Sequence, residues 1–185
     1  MKKVNYEDYK DKYDEQFKAV METSPESIDI ETMRANLYGY TFTKGYADGV
    51  IPDELSMDYW KERYFEDKLD ESGDVDVQAV IRDMIHARDE TEGVYWPVSP
   101  QEKLILKAID STGDGKTAET ALCVIGVHQE YEYLDRVVRF SGLLLVGQAL
   151  MKGGVDCLMF RDEDGNTEEL YFDISRRFDV GYPAL

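Results

Sequence analysis

VDCLMFRDEDGNTEELYFDI, residues 155–174, contains the clearest fold signal in the chain. Two apolar runs, DCLMF and ELYFDI, flank a polar segment in which Asp164 is followed by Gly165. Asp-Gly between strand-like runs is a strong hairpin signal, because both residues readily adopt the backbone angles of tight turns. The stretch therefore predicts an antiparallel β-hairpin.

Two further apolar runs precede the hairpin and extend the prediction to a small sheet. ALCVIGV (residues 121–127) and GLLLVGQALM (residues 142–151) have the length and composition of strands. Between them, HQEYEYLDRVVRF has helical periodicity through Tyr131, Leu134, Val137 and Val138. The order strand, helix, strand, hairpin predicts a small antiparallel sheet in an α+β protein.

The chain before the sheet has the periodicity of helices. A capping box, Ser99 with Glu102, starts the helix that leads toward the first strand, and Ser56 is placed to cap an earlier one. Four helices are predicted before residue 99, with the stripes Tyr6, Tyr9, Tyr13, Phe17 and Val20; Met33 and Leu37; Met57, Trp60 and Tyr64; and Val77, Val80, Ile81, Met84 and Ile85. We predict an acidic helical region, 1–98, packed on an α+β region, 99–185, as one compact unit.

Charge restricts the classes of partner. The 185 residues carry 39 acidic and 21 basic side chains, for a net charge of −18. Such a surface repels phosphate backbones and anionic lipids, so nucleic-acid and membrane binding are not expected. The charge either serves solubility alone or attracts a basic protein.

DSTGDGKT, residues 110–117, looks like a ligand-binding loop and fails two tests. The phosphate-loop pattern needs glycine where Asp110 stands, and it needs a strand before the loop and a helix after it, which is the reverse of the order predicted here. A calcium loop would use Asp110, Thr112 and Asp114, but its twelfth position is Ala121 instead of glutamate. We interpret the stretch as a turn, with Gly113 and Gly115 at positive φ angles.

No catalytic or metal-binding constellation is apparent, so neither a cofactor nor enzyme activity is expected. The histidines, His86 and His128, have no cysteine, histidine or carboxylate at a metal-ligand spacing. Cys123 and Cys157 lie in apolar runs and are interpreted as buried thiols, although an exported protein could pair them.

Residues 52–67, PDELSMDYWKERYFED, interleave acids with aromatic rings. Tyrosine and tryptophan supply much of the energy of protein interfaces, and carboxylates steer a basic partner toward them. The sequence therefore suggests a partner-binding surface at Asp53, Glu54, Asp58, Tyr59 and Trp60. A buried aromatic face with solvent-exposed acids would give the same pattern.

The run DSTGDGKTAETALCVIGVHQEYEYLDRV, followed by VGQALM, DCLMF, an acidic turn and ELYFDI, resembles an uncharacterised bacterial family, the domain of unknown function 4919. Members carry a similar SGDGKS-PETA-type stretch, an apolar strand, an EEY-like helix start and a closing hairpin ending in LYF. The resemblance covers residues 104–179 and implies an α+β fold, no established activity and a glycine-rich stretch that recurs with the fold. Many members look exported.

These observations predict a non-enzymatic, acidic protein-binding module, for which an immunity-type protein that neutralises a basic bacterial toxin is one concrete form. The alternative is a ligand-binding domain or enzyme with a pocket between the helices and the sheet. The start MKKVNYEDYKDKYDEQF lacks the apolar run of a signal peptide, so we expect a soluble, cytoplasmic protein. A chain shortened from a longer precursor would instead be periplasmic or secreted.

Overall fold

The computed structural model describes residues 3–13, 17, 21, 27–43, 51–90, 99–138 and 142–180, with the side chains of 86–90 excepted. In this part of the chain the α-helices are α1 (Ile30–Tyr40), α2 (Met57–Glu66), α3 (Val77–Glu90), α4 (Pro100–Asp110), α5 (Val127–Val137) and α6 (Ser175–Val180). The strands are β1 (Leu122–Cys123), β2 (Leu144–Met151), β3 (Val155–Arg161) and β4 (Thr167–Asp173). The α+β prediction is confirmed. None of the described helices has the length and apolar composition that crossing a lipid bilayer requires.

The four strands form one sheet in the order β1-β4-β3-β2. The predicted hairpin is β3–β4, and its turn places Gly165 at a φ of 87°. The sheet is mixed, whereas the sequence predicted an antiparallel one, because β1 runs parallel to β4 with Leu122 opposite Phe172. The apolar pattern of a strand sets which side chains are buried but not the direction of its neighbour, so it did not reveal this pairing.

β1 is much shorter than the apolar run ALCVIGV suggested. Only Leu122 and Cys123 are in register with residues of β4; beyond them the Val124 N–H donates to the carbonyl of Asp173 at 3.2 Å, and Val124 and Ile125 are buried in the core. Gly126 then serves as the N-cap of α5. The run therefore fills the core between two elements more than it extends the sheet.

Helix starts follow the predicted capping chemistry. The Ser56 side chain accepts from Tyr59 N at the start of α2, and Ser99 and Glu102 form the complete capping box of α4. The prediction of one helix from Tyr6 to Val20 is wrong at its start, because Tyr6–Tyr9 is a 3-10 helix and residues 10–13 are turn or irregular. Residues 14–16 and 18–20 of that prediction lie outside the described residues.

Two buried tyrosines join the N-terminal region to the sheet. The Tyr38 hydroxyl of α1 donates to the carbonyl of Cys123 at 2.8 Å, and the Tyr6 hydroxyl donates to that of Asp173 at 3.0 Å. The two rings pack edge to face, with centroids 5.7 Å apart. Because these hydroxyls are buried and satisfied, they fix the N-terminal region against the β1–β4 end of the sheet.

Cys123 and Cys157 are separate buried thiols, as the sequence suggested. They belong to β1 and β3, and β4 lies between those strands. Burial raises the pKa of Cys123 to about 11, so the reactive thiolate is scarce at neutral pH.

The apolar stripe of α3 is less covered than its sequence implied. Val80 is buried and Met84 is half-buried, but Val77, Ile81 and Ile85 are exposed. Periodicity identified the helix correctly and could not show which of its faces meets the core.

Candidate functional site

The structure turns several of the predicted partner-binding residues inward. Glu54 is buried, and the Trp60 ring is 3% exposed, with its indole N–H donating to the carbonyl of Glu54 at 3.3 Å. Tyr59 packs half-buried against the core, and Asp53 is exposed. These placements favour a packing role for both rings, and a partner surface at these five residues stays a prediction.

Asp58, the fifth residue of that set, pairs with a buried arginine of α5. Arg136 Nη1 lies 2.8 Å from Asp58 Oδ1, and the Arg136 side chain is inaccessible to solvent. The guanidinium also donates to Glu102 Oε1 of α4, from Nε at 3.3 Å and from Nη2 at 3.2 Å. Arg136 thus joins α2, α4 and α5 through one cation between two carboxylates.

Glu132, also on α5, caps the N-terminus of α2. Its Oε1 accepts from the Ser56 hydroxyl at 2.7 Å and from Asp58 N at 3.1 Å, and its Oε2 accepts from Met57 N at 3.3 Å. A carboxylate at this position satisfies exposed N–H groups and opposes the positive end of the helix dipole. The Ser56 hydroxyl is buried, donates to Glu132 and accepts from Tyr59 N at 3.3 Å, so its hydrogen bonds serve the start of α2.

Within the described residues, one group of three potential metal ligands comes together: Asp58, His128 and Glu132. His128 Nε2 lies 3.5 Å from Glu132 Oε1 and 3.9 Å from Asp58 Oδ2. The expectation that neither histidine has a carboxylate at ligand spacing is wrong for His128, because Glu132 follows it by one helical turn. However, Glu132 Oε1 already accepts two hydrogen bonds and Arg136 touches Asp58, so the geometry suits a charge network better than an ion.

Zinc or calcium is therefore expected to leave the melting temperature unchanged. A ligand at a hundred times its dissociation constant adds about 2.7 kcal/mol, which would raise the melting temperature of a chain this long by several degrees. Thermal unfolding with each ion and with EDTA checks this, with His128→Gln as the matched control. A rise that wild type shows and His128→Gln lacks would establish a metal site.

The buried face of α5 is polar, which its apolar pattern did not predict. Tyr131 and Val137 were expected in the core and are exposed, whereas the buried residues are Gln129, Glu130, Glu132, Tyr133, Leu134 and Arg136. Gln129 shows why: its side chain accepts from Ile125 N and donates to the carbonyl of Leu55. Polar groups from other elements hold α5 in this rotation.

Glu130 and Asp156 are a second set of buried acids, on α5 and β3. No described residue donates a hydrogen bond to either Glu130 oxygen or to Asp156 Oδ1. Burial, and then the Asp156 charge, raises the pKa of Glu130 from 4.5 to about 8. No motif in the sequence marks either residue, and the only signal is that Glu130 lies one turn before Leu134, on the same helix face.

Strand β2 exposes an apolar edge. Among the described strands it is the last one on its side of the sheet, and no residue from Leu144 to Met151 is charged. Its exposed apolar side chains are Leu144, Leu145, Val146, Leu150 and Met151. The pairing with β3 shifts register between Leu145 and Gly147, which is the one feature that interrupts an otherwise regular edge.

The loop 110–117 is built into the fold. The Thr112 hydroxyl accepts from Cys123 N at 2.8 Å, and the carbonyl of Gly115 accepts from Tyr171 N of β4 at 2.8 Å. Gly115 has the expected positive φ, 67°, but Gly113 does not. Position 113 requires glycine for a different reason, because a Cβ there would overlap the carbonyl oxygen of Thr120. The loop joins α4 to β1, as the turn interpretation expected, and its Gly115 carbonyl also binds β4, which the sequence did not indicate.

The comparison with protein families gives one result: a domain of unknown function (DUF4919), whose model matches residues 80–181, more than half of the chain. The chain belongs to the DUF4919 family. The resemblance seen in the sequence is confirmed, and the match begins well before residue 104. No curated protein and no solved structure matches the chain.

The DUF4919 match separates the candidate features. It includes all four strands and α4 to α6, and with them Glu102, Glu130, Arg136 and Asp156. Asp58 and the rest of the predicted partner surface lie before it. Strand β2 and the buried acids therefore belong to the DUF4919 region, while the Asp58 end of the charge network does not.

One cleft, of about 200 Å³, lies between α2 and the start of α4, lined by residues that include Trp60, Tyr64, Ser99 and Gln101. Ligand pockets in proteins have volumes of roughly 300 to 1,000 Å³. This cleft is smaller, and it is lined by helices rather than lying between helices and the sheet. It gives little support to the ligand-binding alternative.

Proposed function

We propose that this protein is a non-enzymatic, acidic protein-binding module that engages its partner along β2. The observation that carries the proposal is the exposed apolar edge. Natural proteins protect edge strands with charge, proline or a covering segment, and β2 has neither charge nor proline over eight residues. An apolar edge of this kind is typical of a strand that pairs with an extended segment of another protein.

The net charge indicates which partner fits. Two copies of a chain with a charge of −18 repel each other, which disfavours pairing of β2 with a second copy. A basic protein is attracted instead, and long-range attraction raises its association rate at low salt. We therefore propose a basic partner that contributes apolar side chains to β2.

The more specific form of the proposal is an immunity-type protein that neutralises a basic bacterial toxin. Its support is the combination of small size, strong acidity and polar clusters that are committed to structure, such as Glu132 at the start of α2. The product of the adjacent gene is the partner to test, by co-expression and by rescue of growth.

Placing a charge on β2 is expected to weaken binding. Leu150→Lys should reduce co-purification of the adjacent gene product by about tenfold or more, because an unpaired ammonium would enter an apolar contact. Leu69→Lys is the matched control, since Leu69 is 49% exposed and Leu150 is 57% exposed, but Leu69 lies outside the sheet. Binding measured at low and high salt checks the electrostatic part.

Equal binding by both lysine variants would place the partner elsewhere, and the surface at Asp53 to Trp60 would then be examined. No complex with the adjacent gene product at low salt would remove the immunity-type form. The ligand-binding or enzymatic alternative would gain support from a thermal shift with calcium, nucleotides or sugars.

A further inference from the structure

The two ends of edge strand β2 differ in charge. Leu144 begins β2 and lies opposite Arg161, the last residue of β3, and the turn into β4 follows at once. Residues 162–169 contain five acids and no base, and Arg161 together with Arg139, which precedes β2 in the sequence, offsets only two of them. The other end of β2 leads into the turn 152–154, Lys-Gly-Gly, which has no acid. The apolar edge therefore has an acidic excess at its Leu144 end only.

Two acids of the β3–β4 turn can meet a partner directly. Glu163 and Asp164 are exposed, and no described residue forms a hydrogen bond or an ion pair with their carboxylates. Asp162 instead accepts from Asn166 N at 2.7 Å and from the Asn166 side-chain amide at 2.8 Å, so its carboxylate holds the turn. The turn thus keeps its shape without the carboxylates of Glu163 and Asp164.

A strand added to β2 would bring a long basic side chain toward these acids. Neighbouring strands lie about 4.8 Å apart, so the backbone of an added strand is about 10 Å from β3. Lysine and arginine carry a charged head on a long apolar stem. Leu144, which is 68% exposed, offers apolar surface to such a stem, and the turn offers charge to the head. This end of the edge fits lysine or arginine better than a wholly apolar residue.

The bulge in β2 separates the part of the edge that can pair regularly from the part that lies beside the acids. The register with β3 is regular from Gly147 to Met151 and shifts between Leu145 and Gly147. A bulge bends its strand and disrupts the ladder of backbone hydrogen bonds. An added strand therefore pairs without interruption along Gly147–Met151 and reaches Leu144 with its end.

We infer that the partner supplies a segment in two parts: an apolar stretch that pairs along Gly147–Met151, and a cluster of lysine or arginine at the end beside Leu144. Glu163 and Asp164 attract this cluster. The inference rests on the proposed function and specifies the chemistry of the partner at the same edge. A segment with its positive charges at the Met151 end would meet the exposed Lys152 and be repelled.

The probe is a synthetic peptide in which valine and threonine alternate over the length of Gly147–Met151 and a lysine cluster follows at the C-terminus. The cluster is placed there because an antiparallel strand on β2 ends beside Leu144. In an NMR titration of the whole protein at low salt, this peptide should shift the backbone amides of β2. Its dissociation constant is taken from the same titration.

The decisive comparison is between two double variants that remove equal charge. Glu163→Gln with Asp164→Asn should bind the peptide about fivefold more weakly than wild type, and asparagine before Gly165 keeps the preference for a tight turn. Glu62→Gln with Glu66→Gln, at exposed positions of α2, should bind within about twofold of wild type. High salt should remove the difference, and equal melting temperatures would show that both variants are folded.

Equal losses of affinity in the two double variants would overturn the inference, because the attraction would then come from the net charge of the whole protein. So would a peptide that leaves the β2 amides unshifted, or a wild-type dimer whose β2 edge is already covered by a second copy. The proposed function has its own test. If Leu150→Lys loses the adjacent gene product while Glu163→Gln with Asp164→Asn retains it fully, the edge is the docking site and the basic cluster is wrong.

Discussion

Replacing Gly113 by alanine is expected to lower the free energy of unfolding by roughly 3 kcal/mol or more, as overpacking against fixed atoms does. A Cβ at this position would overlap the carbonyl oxygen of Thr120 and lie 2.8 Å from that of Ala121. The Thr120 carbonyl cannot retreat freely, because it accepts from Gly115 N at 2.9 Å. The added methyl group therefore forces the loop away from the segment that leads into β1.

The measurement is thermal unfolding of Gly113→Ala beside Lys116→Ala. Lys116 is exposed, and its backbone N–H, which donates to Asp114 Oδ1, is retained in the alanine variant. The first variant should melt roughly 10 °C below wild type and the second should melt with it. Equal melting temperatures for the two variants would show that residues 110–117 are not part of the fold's framework, and a loss of binding from Lys116→Ala alone would revive the phosphate-loop interpretation.

The elements that the sequence predicted well are those whose causes are local. The Asp-Gly turn between β3 and β4, and the side-chain caps of Ser56 and Ser99, depend on residues three or four apart. The residues that determine each turn or cap therefore lie within the same few positions of the sequence as the structure that they form. The parallel pairing of β1 with β4 joins Leu122 to Phe172, fifty residues away, and no local signal specifies it.

The rotation of α5 shows the main limit. Its apolar residues suggested that Tyr131 and Val137 face the core, but Glu132 and Arg136 face inward because they meet α2 and α4. A buried charge is stable only where a partner from another element neutralises it. Those partners lie tens of residues away along the chain, so a single sequence shows which residues are charged but not which of them pair.

The candidate sites divide in the same way. Acidity was apparent from composition, and residues 142–151 were recognisable as a strand, but its position at the sheet edge depends on the order of all four strands. Trp60 looked like an interface residue because tryptophan is common in interfaces, yet this ring fills the core. Nothing in the sequence sets Glu130 apart, because its unusual property is that no described residue donates a hydrogen bond to its buried carboxylate.

Removing the buried cation should also have a large effect. Arg136→Met is expected to cost roughly 3 to 5 kcal/mol, the usual penalty for leaving one member of a buried ion pair behind. Glu102 would remain fully buried without its guanidinium partner, while Asp58, which is half-exposed, can be solvated. Arg82→Met, at an exposed position of α3, is the control for loss of one positive charge.

The double variant Glu102→Gln with Arg136→Met separates the charge from the packing. Glutamine keeps an oxygen that can accept from Ser99 N in the capping box, while it removes the uncompensated negative charge. Urea unfolding should therefore show the double variant to be more stable than Arg136→Met alone, since a neutral pair of similar volume avoids burying a lone charge. If the double variant is no more stable, the loss comes from the packing of the arginine stem between α2, α4 and α5 rather than from Glu102, and the ion pair contributes little to the junction of the three helices.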